Sequence, residues 1–171
     1  MESVKSILKK APESSLNQEE TIRTLISKIS KSYMVQEQGF QFNQAEFIIE
    51  WIRRDLLNIV FGDSDNHGRN TSFLRNENSI WLAPIYDFAP MKADHEGIAR
   101  TTQWRRPLEN GGEYDFNAIA ETLADLLPPD TLLDALKTTA CQLSGLKERL
   151  IKRGIPQQVI DKPVFGFDYT D

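Results

Sequence analysis

The chain has 171 residues, a formal net charge of −5 and a hydrophobic fraction of 40%. This length can bury a sizeable core and predicts one domain, or one lobe of a larger protein. The acidic balance argues against a protein that coats nucleic acid, because such domains usually carry a basic excess.

Cysteine usage and apolar patterning narrow the class further. The single cysteine, Cys141, excludes an internal disulfide, and with only His67 and His95 beside it the chain lacks the residues of a structural zinc site. No apolar run approaches the roughly 18 to 20 residues of a membrane helix, and no signal-peptide block follows the N-terminal lysines. We expect a soluble, cytoplasmic protein without membrane contacts or direct nucleic-acid binding.

The first part of the chain predicts a short segment and a helix. Residues 1–16 hold a small amphipathic piece, which we interpret as a surface segment. Asn17 followed by Glu20 resembles a capping box, and apolar residues at helical spacing continue to about Lys31.

The next predicted helix is central to the domain. Asn43 followed by Glu46 gives a second capping signal, and residues 47–61 are apolar over most of the helix circumference. Such a helix belongs in the interior of a helical lobe. Gly62 is expected to end it.

An acidic loop and a hairpin follow this helix. Short extended segments with a turn at residues 76–78 predict a β-hairpin over residues 71–84. The hairpin would bring Asp87 back beside the loop that contains Asp63 and Asp65. These carboxylates would repel one another at a negative helix end, so the arrangement argues for a bound cation.

The rest of the chain is predicted to be a loop and then helices. Residues 88–112 are irregular, as is common where a partner or substrate is gripped. Helices are expected over about residues 115–154, with Asp130 capping a final long helix that ends at Gly154. On this helix Cys141 is expected to be a buried small hydrophobe.

The spacing of the loop residues is typical of phosphoryl transfer. Asp65 and Asn70 have the spacing D-x-x-x-x-N found in protein-kinase catalytic loops, where the carboxylate meets the nucleophilic hydroxyl and the amide oxygen binds magnesium. A second aspartate, arriving after a hairpin, completes the metal site in those loops, and Asp87 has the corresponding position here.

The same residues carry a resemblance to a known family. The segment from Gly62 to Ser72 matches the signature G-x-x-D-x-H-x-K/R-N-x-S, and the segment from Leu82 to Asp87 matches L-x-P-x-Y-D. Together they resemble the C-terminal kinase region of the HipA family, the bacterial serine/threonine kinase toxins of toxin-antitoxin systems. The resemblance covers roughly residues 43–90.

The resemblance implies roles for individual residues. Asp65 would be the catalytic aspartate that orients the substrate hydroxyl, and Arg69 would meet the transferring phosphoryl group. Asn70 and Asp87 would bind Mg²⁺ against the phosphates of ATP. His67 matches a family position as a possible supporting residue, although such a histidine more often pins the backbone by a hydrogen bond.

The resemblance also implies a fold and partners. Residues 1–171 would form a single mainly α domain, the helical C-terminal lobe of a protein-kinase-like fold, with the catalytic loop at 62–72. No glycine-rich G-x-G-x-x-G loop or strand lysine can be placed in the first 60 residues, so the N-terminal nucleotide-binding lobe is missing from the expected domain. We expect little activity from this lobe alone. Its partners would be that lobe, on the same or a separate chain, a protein substrate and a HipB-like DNA-binding antitoxin.

Two other function classes remain open. The chain could be a kinase-like binding module that scaffolds an antitoxin, with a vestigial acidic loop. It could also be a metal-dependent phosphohydrolase using Asp63, Asp65, His67 and Asp87, although such enzymes usually draw on more histidines or a denser carboxylate set.

Our expectations for Asp63 and for three arginines after the hairpin are less specific. The HipA family commonly shows asparagine or a small residue where this chain has Asp63, so we leave Asp63 out of the catalytic set. Arg100, Arg105 and Arg106 could dock a protein substrate, but we favour a solvated face balanced by Glu96 and Glu109.

Overall fold

The computed structural model describes residues 1–11, 14–91 and 100–161 of the chain. Its helices are α1 (Val4–Leu8), α2 (Gln18–Ser30), α3 (Tyr33–Gln36), α4 (Gln44–Phe61), α5 (Phe116–Thr122), α6 (Pro129–Leu143), α7 (Leu146–Lys152) and α8 (Gln157–Ile160). Its strands are β1 (Glu2–Ser3), β2 (Leu16–Asn17), β3 (Gln41–Phe42), β4 (Ser72–Arg75), β5 (Ser79–Leu82), β6 (Thr102–Gln103), β7 (Glu109–Asn110) and β8 (Glu113–Tyr114). The fold is mainly α with small sheets, as predicted. Parts of the predicted irregular segment and of the C-terminal tail lie outside the described residues.

The two predicted helix starts are confirmed by their caps. In α2 the Asn17 side chain accepts a hydrogen bond from the Glu20 amide at 2.9 Å, and in α4 Asn43 accepts one from the Glu46 amide at 3.0 Å. These bonds satisfy amides that the first turn leaves unpaired. Gly62 follows α4 with a φ of 68°, a left-handed conformation that glycine adopts at low cost.

Helix α4 is the axis of the core. It packs against both α6 and β5. Its buried apolar side chains are Phe47, Ile48, Trp51, Ile52, Leu56, Ile59 and Val60. Because burying one such side chain stabilises a fold by about 1.5 to 3 kcal/mol, this helix is fixed firmly and can position the loop that begins at its C-terminal end.

The predicted β-hairpin is confirmed. Strands β4 and β5 pair antiparallel with Phe73 opposite Leu82, and they lie inside a four-stranded sheet of order β1-β4-β5-β3. In the turn, the Asn76 side chain accepts hydrogen bonds from the amides of Asn78 and Ser79 at 3.0 and 2.8 Å. The asparagine thus stabilises the reversal of the chain.

The N-terminal segment is part of the fold, so its interpretation as a surface segment is wrong. Strand β1 pairs antiparallel with β4, and Val4 is fully buried. The amides of Val4 and Lys5 donate to the carbonyls of Thr71 and Gly68 at 2.9 and 3.0 Å. The segment is too short for a periodic apolar pattern, and only its contacts with distant residues bury it.

The C-terminal helices differ from the prediction in three respects. The expected final helix is two helices, because Gly145 takes a left-handed conformation with φ 66° between α6 and α7. Asp130 lies in the first turn of α6, whose N-cap is Pro128 without a side-chain cap bond. Cys141 is exposed rather than buried.

A buried polar cluster joins α4 to α2 and to the segment after the hairpin. Asp55, which is 1% exposed, accepts hydrogen bonds from Gln18 Nε2 at 2.8 Å and from Trp104 Nε1 at 2.9 Å. Gln18 in turn accepts from Trp51 Nε1 at 2.7 Å. Burial raises the pKa of Asp55 to about 6, against the opposing effect of the Arg100 cation.

Arg100 completes this cluster. Its guanidinium lies 3.9 Å from Asp55 Oδ1 and 3.4 Å from Glu109 Oε1, and it stacks 5.0 Å from the centre of the Tyr114 ring. Glu109 also accepts a hydrogen bond from the Trp104 amide at 2.9 Å. We refer to Gln18, Trp51, Asp55, Arg100, Trp104 and Glu109 as the Asp55 cluster.

The expectation of one solvated arginine face is therefore wrong for Arg100. Its side chain is only 10% exposed and belongs to the Asp55 cluster. Arg105 and Arg106 are exposed, and Arg105 lies 3.5 Å from Glu20. Glu96, the other expected partner, lies outside the described residues.

Across the part of the chain that the structure describes, no helix has both the length and the apolar character needed to cross a membrane.

Candidate active site

The candidate site begins where α4 ends. The Asp63 amide donates to the Asn58 carbonyl at 2.9 Å, which fastens the chain to the last turn of the helix just after the Gly62 reversal. Asp63 Oδ1 accepts a hydrogen bond from the Asp65 amide at 2.9 Å. The rigid helix therefore positions Asp65 through two consecutive hydrogen bonds.

Asp65 and Asn70 are held together by a tight loop. The Asp65 carbonyl accepts from the His67 amide at 3.0 Å and from Asn70 Nδ2 at 3.1 Å, and the Asn70 amide donates to the His67 carbonyl at 2.9 Å. Because the Asn70 NH₂ group is used as a donor, its Oδ1 is the atom available to accept or to bind a cation. The spacing between Asp65 and Asn70 is thus the length of one closed loop.

Tyr86 joins this loop to the segment that carries Asp87. Its hydroxyl donates to the Arg69 carbonyl at 2.6 Å and lies 2.6 Å from Ser72 Oγ, which is buried. Arg54 on α4 donates to the Ala83 carbonyl at 2.6 Å. The two loops are thereby tied to each other, and the second is also tied to α4.

Asp87 lines a small cavity together with Asp65 and Asn70. Its φ is 52°, a left-handed conformation that is uncommon for residues other than glycine and is often found at functional sites. The cavity has a volume of about 30 Å³ and is lined by Arg54, Asn58, Asp63, Asp65, Asn66, Asn70, Thr71, Ile85, Tyr86, Asp87 and Phe88. The hairpin thus brings together the three residues that the spacing singled out.

Three carboxylates, those of Asp63, Asp65 and Asp87, lie near one another in the site. Burial raises the pKa of Asp63, and the nearby carboxylates of Asp65 and Asp87 raise it further, whereas the hydrogen bond from the Asp65 amide and the cation of Arg100 lower it. Negative carboxylates this close to one another repel, and a cation placed between them would relieve that repulsion.

The donor set fits a magnesium ion that also binds phosphate oxygens. Mg²⁺ prefers carboxylate and amide oxygens, and it commonly binds one or two protein groups together with substrate phosphates. Asn70 Oδ1 and the exposed Asp87 carboxylate are of this type. Among the described residues, no three His, Cys, Asp or Glu side chains are arranged to hold a metal by themselves, so the remaining ligands would come from substrate and water.

Neither His67 nor Arg69 is among the residues that line the cavity. His67 Nε2 lies 3.6 Å from Asp65 Oδ1, and its buried Nδ1 has no partner among the described residues. The loop is closed by the His67 backbone, not by a hydrogen bond from the imidazole. Arg69 is exposed, and its side chain does not line the cavity.

Sequence reasoning missed three contributors to the site. Asp63 was left out of the catalytic set, yet it holds the Asp65 amide. Tyr86 was recognised only as part of a motif, although its hydroxyl joins the two loops. For Arg54 the sequence offered no signal, because its partner, the Ala83 carbonyl, is a backbone atom 29 positions away.

Comparison with known proteins gives one positive finding. The family model of the HipA-like C-terminal domain matches residues 1–146, which is most of the chain. A search of the curated proteins gave no match.

Proposed function

The chain belongs to the family of HipA-like C-terminal domains, and on this premise we propose that it is the C-terminal lobe of a serine/threonine protein kinase. This family is associated with kinase activity. In its complete form the kinase would transfer the γ-phosphoryl group of ATP to a hydroxyl group of a protein substrate. The observation that carries the proposal is the convergence of Asp65, Asn70 and Asp87 on one cavity.

The proposed roles are those that the family resemblance implies, and the arrangement of the two loops is compatible with them. Asp65, fixed through its amide and carbonyl, would aim its carboxylate at the incoming hydroxyl and accept its proton as the new O–P bond forms, while the bond from the γ-phosphorus to the bridging oxygen breaks and ADP leaves. Asn70 and Asp87 would hold Mg²⁺, which when bound would neutralise charge on the phosphates. By the family resemblance Arg69 would meet the transferring group, although its side chain is exposed and does not line the cavity. Phosphoryl transfer depends mainly on positioning and charge stabilisation, which such a set provides.

The proposal extends to partners and location. The nucleotide-covering lobe would lie on the same natural chain or on a separate one, and a HipB-like antitoxin would restrain the complete kinase in the cytoplasm. The glycine-rich loop and strand lysine that kinases need are not found in the first 60 residues, which supports a second lobe.

The test is a transfer assay on two forms of the protein. Autophosphorylation and ATP hydrolysis are measured with Mg²⁺ for the chain alone and for the chain joined to its genomically adjacent upstream sequence. We expect transfer in the joined form only, and its loss in the Asp65→Asn and Asp87→Asn variants. Asp130→Asn, which changes an exposed carboxylate at the start of α6, is the matched control and should remain active.

The alternatives predict different results. Silence of the joined form with Mg²⁺ and ATP would favour a scaffold that binds an antitoxin. Hydrolysis by the isolated chain that depends on Asp65 and on a tightly bound transition metal would favour a phosphohydrolase.

A further inference from the structure

Asp63 is a buried carboxylate at the junction of α4 and the loop that contains Asp65. It is 5% exposed. Its backbone amide is bonded to the Asn58 carbonyl and its Oδ1 to the Asp65 amide, both at 2.9 Å. The Asp63 backbone is thus bonded to α4, and the Asp63 side chain bonds the amide of Asp65, two residues further along the chain.

This contact determines where Asp65 can lie. The carbonyl of Asp65 is held from the other side by His67 and Asn70, and Asp63 supplies the hydrogen bond to its amide. A side-chain acceptor that bonds an amide two residues ahead fixes the intervening turn. Without it, the peptide group before Asp65 could rotate, and the carboxylate would move with it.

The charge of Asp63 and its hydrogen bond can be considered separately. Burial and the neighbouring carboxylates of Asp65 and Asp87 raise the pKa of Asp63, so its charged form is disfavoured in the folded protein. The contact itself is a hydrogen bond from the Asp65 amide to Asp63 Oδ1. It needs an acceptor oxygen, which a neutral amide side chain can also supply.

We propose that Asp63 is a positioning residue for Asp65, acting through the hydrogen bond from the Asp65 amide to Asp63 Oδ1. The inference rests on the proposed kinase function, since it assigns Asp65 the aimed carboxylate. It adds a residue that does not touch substrate and that sets the geometry of one that does.

Three substitutions in the joined, active form separate the hydrogen bond from the charge. Asp63→Asn keeps an acceptor oxygen in place without the charge, Asp63→Ala removes the acceptor, and Asp63→Glu keeps the charge but displaces the acceptor by one methylene. We expect Asn to retain most of kcat, and Ala and Glu to lose about tenfold or more with little change in KM for ATP, because small misplacements of a catalytic group cost rate. Equal kcat in Ala and wild type, or equal loss in Asn and Ala, would overturn the proposal.

A second measurement does not depend on activity. Hydrogen exchange of the Asp65 amide, followed by NMR on the 171-residue chain, should be slow in wild type and in Asp63→Asn, and faster in Asp63→Glu. The Glu variant serves even if the Ala variant does not fold. A fast-exchanging Asp65 amide in wild type would refute the hydrogen bond itself.

The two proposals fail in different ways. If the joined wild-type protein transfers no phosphoryl group, the kinase proposal fails and the positioning role falls with it. If wild type is active and the Asp63 variants do not separate as stated, only the positioning role is wrong.

Discussion

Carboxylates on helix α4 and just beyond its C-terminal end lie in two different environments. Asp55 lies within the helix, where side-chain donors from Gln18 and Trp104 and the cation of Arg100 surround it. Asp63 and Asp65 come after the end of the helix, where their contacts are mostly with backbone groups and their carboxylates face that of Asp87.

The comparison separates a buried carboxylate that supports the fold from carboxylates that belong to the candidate site. In the Asp55 cluster both oxygens of the Asp55 carboxylate have side-chain donors. In the candidate site the carboxylates repel, and their charge becomes useful only when a cation and a substrate arrive. Changes in the first region should therefore affect stability, whereas changes in the second should affect activity.

The largest effect on stability is expected from Asp55→Ala. The variant leaves the Gln18 and Trp104 donors without their acceptor and removes a partner of Arg100. Breaking such a buried set costs about 3 to 5 kcal/mol in the free energy of unfolding. Urea unfolding of wild type and variant measures the difference, and Asp130→Asn is the surface control. A loss of less than about 1 kcal/mol, on the order of one exposed pair, would mean that the cluster is not structurally important.

The second prediction concerns pH. Burial raises the pKa of Asp55 from 3.8 to about 6, so between these values the folded state binds the proton more tightly than the unfolded chain. Stability from this group is therefore present at low pH and is lost as pH rises through 6. Relative to Asp55→Asn, wild type should lose up to about 3 kcal/mol between about pH 4 and 7, because one pKa unit corresponds to about 1.4 kcal/mol. Parallel pH curves for the two proteins would contradict this.

Gly68→Ala should have an intermediate effect and would show how the loop is supported. A Cβ atom there would lie 2.7 Å from Leu16 Cδ1 and 2.9 Å from Lys5 Cγ. Forcing extra volume into such a contact costs about 1 to 3 kcal/mol, measured as a lower thermal midpoint. The cost should shrink in a Leu16→Ala background, since the closer of the two contacts is then removed and only the contact with Lys5 Cγ remains. Equal cost in both backgrounds would place the strain elsewhere.

The smallest expected effect has the opposite sign. Asp87→Asn removes one of the repelling carboxylates and keeps a side chain that tolerates a positive φ, so without metal it should raise the free energy of unfolding by about 0.5 kcal/mol, the size of one exposed charge interaction. Mg²⁺ should then stabilise wild type more than the variant. Thermal unfolding with and without Mg²⁺ measures both. A destabilised variant that still responds fully to Mg²⁺ would exclude Asp87 as a ligand.

Local signals predicted the parts of the fold that depend on neighbouring residues. The caps at Asn17 and Asn43 and the end of α4 at Gly62 are each determined within a few positions. The spacing of Asp65 and Asn70 likewise reflects one short loop. Gly145 carried a similar local signal for a helix break, which the apolar pattern across it concealed.

Contacts between distant residues could not be predicted in this way. Asp55 and Trp104 are 49 positions apart, and nothing near either residue indicates that the indole meets the carboxylate. The same holds for Val4, whose amide bonds to Thr71. A short N-terminal piece can thus be buried without showing a periodic pattern, and an arginine such as Arg100 can be internal despite exposed arginines close by.

The hydrogen bonds of Tyr86 have a consequence for ligand binding. Because one hydroxyl joins Arg69 and Ser72, the loop with Asn70 and the loop with Asp87 form a single unit before any ligand is present. A ligand that bridges Asn70 and Asp87 therefore loses little affinity to the entropy of ordering two separate loops. Replacing the tyrosine by phenylalanine would return that entropic cost to the binding step, so a weaker Mg²⁺–nucleotide affinity would accompany an almost unchanged folded structure.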